Sequence, residues 1–147
     1  MREIEFRGKK EGNGEWAYGY LSTLAGGDCL VIEDGDDWNG VVEETVGQYT
    51  GLKDKNGTKI YEGDVVKDKD RLCYVIKYTD EDVGSCGCCY TAFVGIGFVA
   101  ELELEDEGGE KYFVRCQYKG SECQVIGNIY DNPELVEDAI REYNLRY

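Results

Sequence analysis

The sequence predicts a mainly β protein built from hairpins, as small twisted sheets or an SH3-like, partly open barrel, with one C-terminal amphipathic α-helix. The composition is one basis, because 20 glycines and 12 tyrosines with a single proline favour strands and turns. A second is the alternation of apolar and polar residues in many short segments, which becomes helical only near the C-terminus. A third is Asn56-Gly57, a strong hairpin signal in mid-chain.

The length of 147 residues suits one domain. We therefore expect residues 1–147 to fold as a single domain. Two packed β halves, about 1–45 and 46–147, are the alternative within the same length.

The first third of the chain predicts strands joined by polar turns. Ile4 and Phe6 alternate with charged residues, as in a half-buried strand, and Trp16–Leu21 alternates in the same way after a glycine-rich turn. These two segments predict the first hairpin. The acidic run Glu33–Asp37 predicts a solvated loop, because it lacks the ligand order of a calcium-binding EF-hand.

The segment Val46–Val66 predicts a hairpin followed directly by another strand. A type I′ turn at Asn56-Gly57 requires positive φ at both central residues, which Asn tolerates and Gly adopts freely. Gly63 precedes the next strand, and glycines within strands often mark bulges or sharp bends.

The second half predicts further strands before the pattern changes. They cover Cys73–Tyr78, a bent strand or strand pair within Tyr90–Val99, a hairpin of Ala100–Glu105 with Tyr112–Tyr118, and Gln124–Tyr130 with a bulge at Gly127.

A helix then closes the chain. Asn132 is a suitable N-cap and Pro133 suits the first helical position. The apolar stripe of this helix consists of Leu135, Val136, Ala139, Ile140 and Tyr143.

The charge of the chain restricts its partners. With a net charge of −15 and no histidine, the chain lacks the basic clusters that bind a phosphate backbone or an anionic membrane. A cationic partner, or mimicry of nucleic acid, stays open. We therefore expect neither direct nucleic-acid binding nor membrane binding.

The seven cysteines are expected to be reduced, and their odd number agrees with that. The N-terminus lacks the apolar region of a signal peptide, and the apolar runs are too short to span a bilayer. We therefore expect a soluble cytoplasmic protein with reduced thiols. Zinc binding is an alternative for five of the cysteines, although their spacing differs from that of paired zinc knuckles. These five are Cys86, Cys88, Cys89, Cys116 and Cys123.

No catalytic constellation is evident in the sequence. Gly95–Ala100 matches G-x-G-x-x-A, but the alternation after it predicts a strand instead of the required helix. The pairs Glu62/Asp64 and Glu101/Glu103 have strand spacing that places both carboxylates on one face. Acidic pairs are common in this chain, so we expect these carboxylates on a solvated face. We therefore expect no enzymatic activity, and we assign no catalytic, cofactor-binding or metal-binding residues.

Two segments resemble signatures of the YopX family. They are ETVGQYTGLKDKNGTKIYEGDVV (Glu44–Val66) and VIGNIYDNPELVED (Val125–Asp138), and the opening MREIEFRG is similar to the start of that family. The resemblance implies a small, mainly β protein encoded by a bacteriophage or prophage, acting in the bacterial host cell, without an established activity. The central part, Asp80–Glu122, departs from the family pattern.

The combined interpretation is a non-enzymatic protein-interaction module. We expect a homo-oligomer, with a host protein as a possible further partner, because tyrosine is common at interfaces and open strand edges favour pairing. A cysteine-dependent metal-binding protein and an acidic nucleic-acid mimic are the alternatives.

Overall fold

The structure of the chain is a computed structural model that describes residues 3–69, 72–79, 97–116 and 120–147. The chain divides into two compact units, residues 1–52 and 53–147. The alternative of two halves divided at about residue 45 differs from this division, because β5 begins at Gly47 and pairs with the first strand. Among the described residues, two antiparallel sheets are present, and neither is closed into a barrel.

The first unit is built around an antiparallel sheet with the strand order β4-β3-β2-β1-β5. Its strands are β1 Phe6–Lys9, β2 Trp16–Leu24, β3 Cys29–Asp34, β4 Asp37–Gly40 and β5 Gly47–Lys53. Ala17, Ile32 and Val41 form its buried core, with Phe6 and Leu21 packed against them. The hydrophobic alternation of β2 therefore directs Ala17 and Leu21 inward, as period-two patterning requires.

The start of β1 differs from the prediction. Ile4 is 57% exposed and precedes the strand, whereas Arg7 and Gly8 within it are buried. The guanidinium carbon of Arg7 lies 4.5 Å from the centroid of the Trp16 ring. A cation over an aromatic face is stabilised by the ring quadrupole, which explains how a charged residue is accommodated at this buried position.

The second unit contains an antiparallel sheet with the strand order β10-β9-β8-β7-β11. The elements of the second unit are β6 Lys59–Tyr61, β7 Asp64–Lys67, β8 Cys73–Thr79, β9 Gly97–Glu105, β10 Lys111–Cys116, β11 Gln124–Asn128 and helix α1 Glu134–Arg146. The register of β11 on β7 shifts between Val125 and Gly127, which confirms the predicted bulge.

Helix α1 packs its predicted apolar stripe on the core of this sheet. Ala139 is buried, and Leu135, Val136, Ile140 and Tyr143 pack against the core cluster that contains Ile76 of β8 and Leu102 of β9. The predicted N-cap is wrong: the helix begins at Glu134, and Pro133 occupies the cap position with helical dihedral angles and makes no side-chain cap hydrogen bond. The Asn132 amide oxygen instead lies 3.4 Å from the backbone nitrogen of Asn128.

A recurrent aspartate turn shapes this unit. Among the described residues, Asp54, Asp68 and Asp106 each open a turn in which their backbone N–H donates to the carbonyl four residues later. In each turn Oδ1 of the same aspartate accepts the N–H of that later residue, at 2.8–2.9 Å. The side chain thereby satisfies backbone donors that the chain reversal would leave unpaired.

The central hairpin turn is present, but its type differs from the prediction. The N–H of Gly57 donates to the carbonyl of Asp54 at 3.0 Å, which places Lys55-Asn56 at the centre of the turn. Gly57 follows with φ 83°, in the left-handed region. This pattern is the three-residue hairpin loop with a glycine after the turn, not the two-residue type I′ loop.

Replacing Gly57 with valine is expected to lower the free energy of unfolding by about 1 kcal/mol or more, because a β-branched residue resists positive φ. A Cβ atom at this position would meet no atom within 4 Å, so backbone strain is the sole cause. Gly57→Asn serves as the control, since Asn tolerates this conformation. Equal urea midpoints for the two variants would contradict the assigned turn.

Candidate functional site

The predicted cysteine group is only partly within the described residues. Cys86, Cys88 and Cys89 lie outside them, and Cys116 ends β10. Cys123 is buried in the core of the second unit, and its thiol lies 3.5 Å from the carbonyl oxygen of Gly120. Burial raises the pKa of Cys123 and also that of Cys73, which favours neutral thiols over the thiolates that bind metals. Among the described residues, no group of three cysteines and carboxylates is placed to hold a metal ion.

The predicted carboxylate pairs are engaged in structural contacts. Asp64 is buried and accepts the N–H of Tyr61 at 2.8 Å. Glu62 lies between β6 and β7, so the expected shared strand face is absent for this pair. Glu101 is buried in β9, contrary to its expected solvent exposure, and Glu103 accepts a hydrogen bond from Lys111. That hydrogen bond lowers the pKa of Glu103.

The second half of the glycine motif Gly95–Ala100 lies in a strand. Gly95 and Ile96 lie outside the described residues, and Gly97 begins β9, a nine-residue strand. A strand at this place does not present the helix N-terminus that a dinucleotide pyrophosphate needs.

The feature that sequence reasoning missed is an aromatic face on the first unit. Along β2, Trp16, Tyr18 and Tyr20 share one side of the sheet, opposite the core residues Ala17 and Leu21. Tyr18 is 42% exposed and Tyr20 is 69% exposed. Their outward alternation therefore leaves large rings in solvent on one face of the sheet.

This face continues across neighbouring strands. Tyr20 pairs with Glu33 of β3, and Glu33 pairs with Trp38 of β4, which is 56% exposed. Paired residues in antiparallel strands project from the same side of a sheet. Tyr20, Glu33 and Trp38 therefore form a cross-strand row, which we call the aromatic row, with a carboxylate between two rings.

The position of Trp38 depends on a tight turn. Asp34 pairs with Asp37 across Gly35-Asp36, and Gly35 has φ 60°. The predicted acidic loop is thus a hairpin that turns Trp38 back beside Glu33. The dipeptide Asp34-Gly35 is a known hairpin signal and is the feature that would have revealed β4.

The aromatic face already contains an internal example of cation recognition. Two cations of β1 lie near the Trp16 ring: the Arg7 guanidinium carbon at 4.5 Å and Lys9 Nζ at 5.5 Å from its centroid. Both distances are within the range in which a ring attracts a positive charge. Tyr20 and Trp38 offer the same ring chemistry to solvent, with the Glu33 carboxylate between them.

In the described residues, no helix has the length and apolar character needed to cross a membrane. No functionally curated protein matches the chain. One solved structure, "Crystal structure of protein EF1440 from Enterococcus faecalis", is similar with 19% sequence identity and a TM-score of 0.41, covering 92% of this chain and 99% of that one.

The family comparison covers most of the sequence. The family model described as "YopX protein" matches residues 5–137. This range includes Glu44–Val66, all of Val125–Asp138 except its last residue, and every strand of the two units that the structure describes. The chain therefore belongs to the YopX family.

Proposed function

We propose that this protein is a non-enzymatic protein-interaction module that binds a basic segment of another protein on the aromatic row. The observation that carries the proposal is the exposure of Tyr20 and Trp38 on either side of Glu33. Exposed aromatic residues grouped on one face are typical of interaction sites, because burial of each ring removes a large apolar area from water.

The chemistry of the row favours a lysine or arginine side chain as ligand. Tyr20 lies in β2 and Trp38 in β4, with β3 between them. At the usual spacing of neighbouring strands, their backbones are about 9–10 Å apart. That gap accommodates an extended side chain whose stem lies against the rings and whose charge lies next to Glu33. Three further acidic residues, Asp34, Asp36 and Asp37, follow in the adjoining hairpin.

The charge of the whole chain supports the same partner class. A net charge of −15 attracts a basic protein from a distance and accelerates their encounter. It also repels a second copy, so self-association belongs to this proposal only as pairing of strand edges away from the aromatic row. We expect such a homo-oligomer to be favoured by salt, which screens the repulsion. Light scattering at low and high salt measures it.

The resemblance of the sequence to phage and prophage proteins suggests the setting. We propose that the module acts in the cytoplasm of a bacterial host cell, where its partner is a host protein or another protein of the same phage.

The double variant Tyr20→Ala/Trp38→Ala is expected to lose partner binding, by about thirtyfold for each aromatic contact removed. The measurement is affinity capture from bacterial lysate with the basic proteins identified and their retained amounts compared. Glu33→Lys should cause a similar loss by reversing the central charge. Both changes lie on an exposed face, so the melting temperature should change little.

The matched control is Tyr112→Ala/Phe113→Ala, which removes two exposed aromatic residues from β10 in the second unit. It should retain the captured proteins at the level of the unmodified chain. Capture that is equal for all variants, or restricted to acidic proteins, would refute the aromatic row as the contact face.

A further inference from the structure

The second unit contains a surface pocket of about 480 Å³ whose cations are unusual for so acidic a chain. Lys55, Lys67 and Lys69 line it, together with the polar side chains Ser121 and Gln124. The lysines come from three places: the central hairpin turn, the end of β7 and the turn after β7. Since the chain carries nearly twice as many acidic as basic residues, 31 against 16, this grouping of lysines is a distinct local feature.

Hydrogen bonds fix the backbone positions from which these lysines project. The N–H of Lys55 donates to the carbonyl of Cys123 at 3.0 Å. Lys67 is paired with Gln124 in the β7–β11 ladder. Lys69 lies in the turn that Asp68 closes on Leu72, with backbone and side-chain hydrogen bonds of 2.9 and 2.8 Å. The pocket frame is therefore formed before a ligand arrives, which lowers the entropic cost of binding.

Asp68 and Glu122 also line the pocket, so three lysines face two carboxylates and the lining keeps a net charge of +1. Asp68 Oδ1 is engaged by the N–H of Leu72, so this oxygen is directed into its own turn. Glu122 belongs to the short 3-10 turn before β11 and is exposed. Lysine side chains that line one pocket repel each other, and a bound anion relieves that repulsion.

We propose that this pocket binds a small phosphorylated molecule that also carries hydroxyl groups, such as a sugar phosphate. Lysine binds phosphate well as a point charge, and the pocket volume falls within the range of small-molecule sites. Ser121, Gln124 and Glu122 offer donors and acceptors that suit the hydroxyl groups of such a ligand. The site is independent of the aromatic row, since it uses residues of the second unit alone.

A long polyanion fits this site poorly. Binding a nucleic acid strand requires a basic track over several phosphates, whereas the net charge of −15 repels a chain of negative charges outside the pocket. A ligand with one or two phosphate groups places its charge among the lysines and remains clear of the surrounding acidic surface.

The test uses the full chain and two defined probes, pyrophosphate and glucose 6-phosphate, titrated by calorimetry at low salt. We expect saturable binding of both, weakened by added salt, and no heat signal with glucose. Amide NMR spectra of the same titrations should show shifts grouped around Lys55, Lys69 and Ser121. Each of Lys55→Gln, Lys67→Gln and Lys69→Gln should weaken binding by about five- to tenfold, as expected for loss of one charged contact.

The matched control is Lys77→Gln, which removes an exposed lysine from β8 of the same sheet. It should bind both probes within about twofold of the unmodified chain, because it lies outside the pocket lining. Thermal melts confirm that all four variants fold. Absence of saturable binding, or an equal loss in Lys77→Gln and the pocket variants, would overturn the proposal.

Discussion

Replacing Gly19 with alanine is expected to lower the free energy of unfolding by about 3 kcal/mol, and the melting temperature by roughly 10 °C. A Cβ atom at this position would lie 1.9 Å from the carbonyl oxygen of Glu33 and 2.8 Å from its carbonyl carbon. These are backbone atoms of the neighbouring strand, so no side-chain rotation relieves the overlap. The strands β2 and β3 must separate locally, which disturbs the pairing of Tyr20 with Glu33.

Gly12→Ala is the matched control for this change, because a Cβ atom at Gly12 would meet no atom within 4 Å. Its free energy of unfolding should stay within about 0.5 kcal/mol of the unmodified chain. Urea unfolding of both variants measures the difference. If Gly19→Ala proved as stable as Gly12→Ala, the close approach of β2 to Glu33 would be incorrect. Because Gly19 precedes Tyr20, a destabilised Gly19→Ala should also lose partner capture.

The second large effect is expected for Asp54→Asn, which should lower the free energy of unfolding by about 2 kcal/mol. Asp54 is 5% exposed, and its carboxylate accepts the backbone N–H groups of Asn56, Thr58 and Val125 at 2.8–2.9 Å. The first two belong to its own turn, and Val125 lies in β11, where it pairs with Val66 of β7. An Asn side chain retains one acceptor oxygen but presents an NH₂ group to a backbone donor, so at least one hydrogen bond is lost.

The stability lost in Asp54→Asn depends on pH, because the Asp54 carboxylate titrates. Burial by itself raises the pKa of Asp54, but the hydrogen bonds from Val125, Thr58 and Asn56 together outweigh burial, and the folded-state pKa is lowered. A carboxyl group with a lowered folded pKa stabilises the fold fully above its unfolded value, about 3.9. That stabilisation disappears as the pH falls through the folded pKa. The difference between the unmodified chain and Asp54→Asn should therefore be constant above about pH 5 and shrink below about pH 4.

Asp106→Asn provides a control of the same turn type. Asp106 Oδ1 accepts the N–H groups of Gly108 and Glu110, both at 2.8 Å, in an exposed turn. An Asn oxygen can replace Oδ1 in both bonds, so we expect a cost below about 0.5 kcal/mol. Equal losses for Asp54→Asn and Asp106→Asn at neutral pH would show that the contact with Val125 contributes nothing.

Local sequence signals sufficed where the structure depends on neighbours in the chain. The stripe from Leu135 to Tyr143 predicted helix α1, and the alternation from Ala100 to Glu105 predicted its strand. Gly127 predicted a bulge in β11. These features follow from backbone periodicity and from the conformational freedom of glycine, which a short segment already contains.

The sequence did not predict the hydrogen bonds that side chains make to distant backbone groups, or the burial of side chains within the paired strands. A charged residue beside Lys55 at the hairpin tip is expected in solvent, but Asp54 is buried and accepts the N–H of Val125, 71 residues later. The alternation of β9 predicts that Glu101 faces solvent, yet Glu101 is buried in the folded unit. The pairings that bury or bridge such residues are set by sheet register, which no short window specifies.

For this protein, the sequence by itself determined the mainly β class, the terminal helix, the acidic charge and the YopX family, because periodicity, composition and motifs are local properties. The tertiary structure alone decided that Tyr20, Glu33 and Trp38 form one row and that Lys55, Lys67 and Lys69 line one pocket. Their members are separated by up to 18 residues in the row and 14 in the lysine group. Hydrogen-bonded strand pairing and turn closure bring them together, and these depend on the whole folded unit.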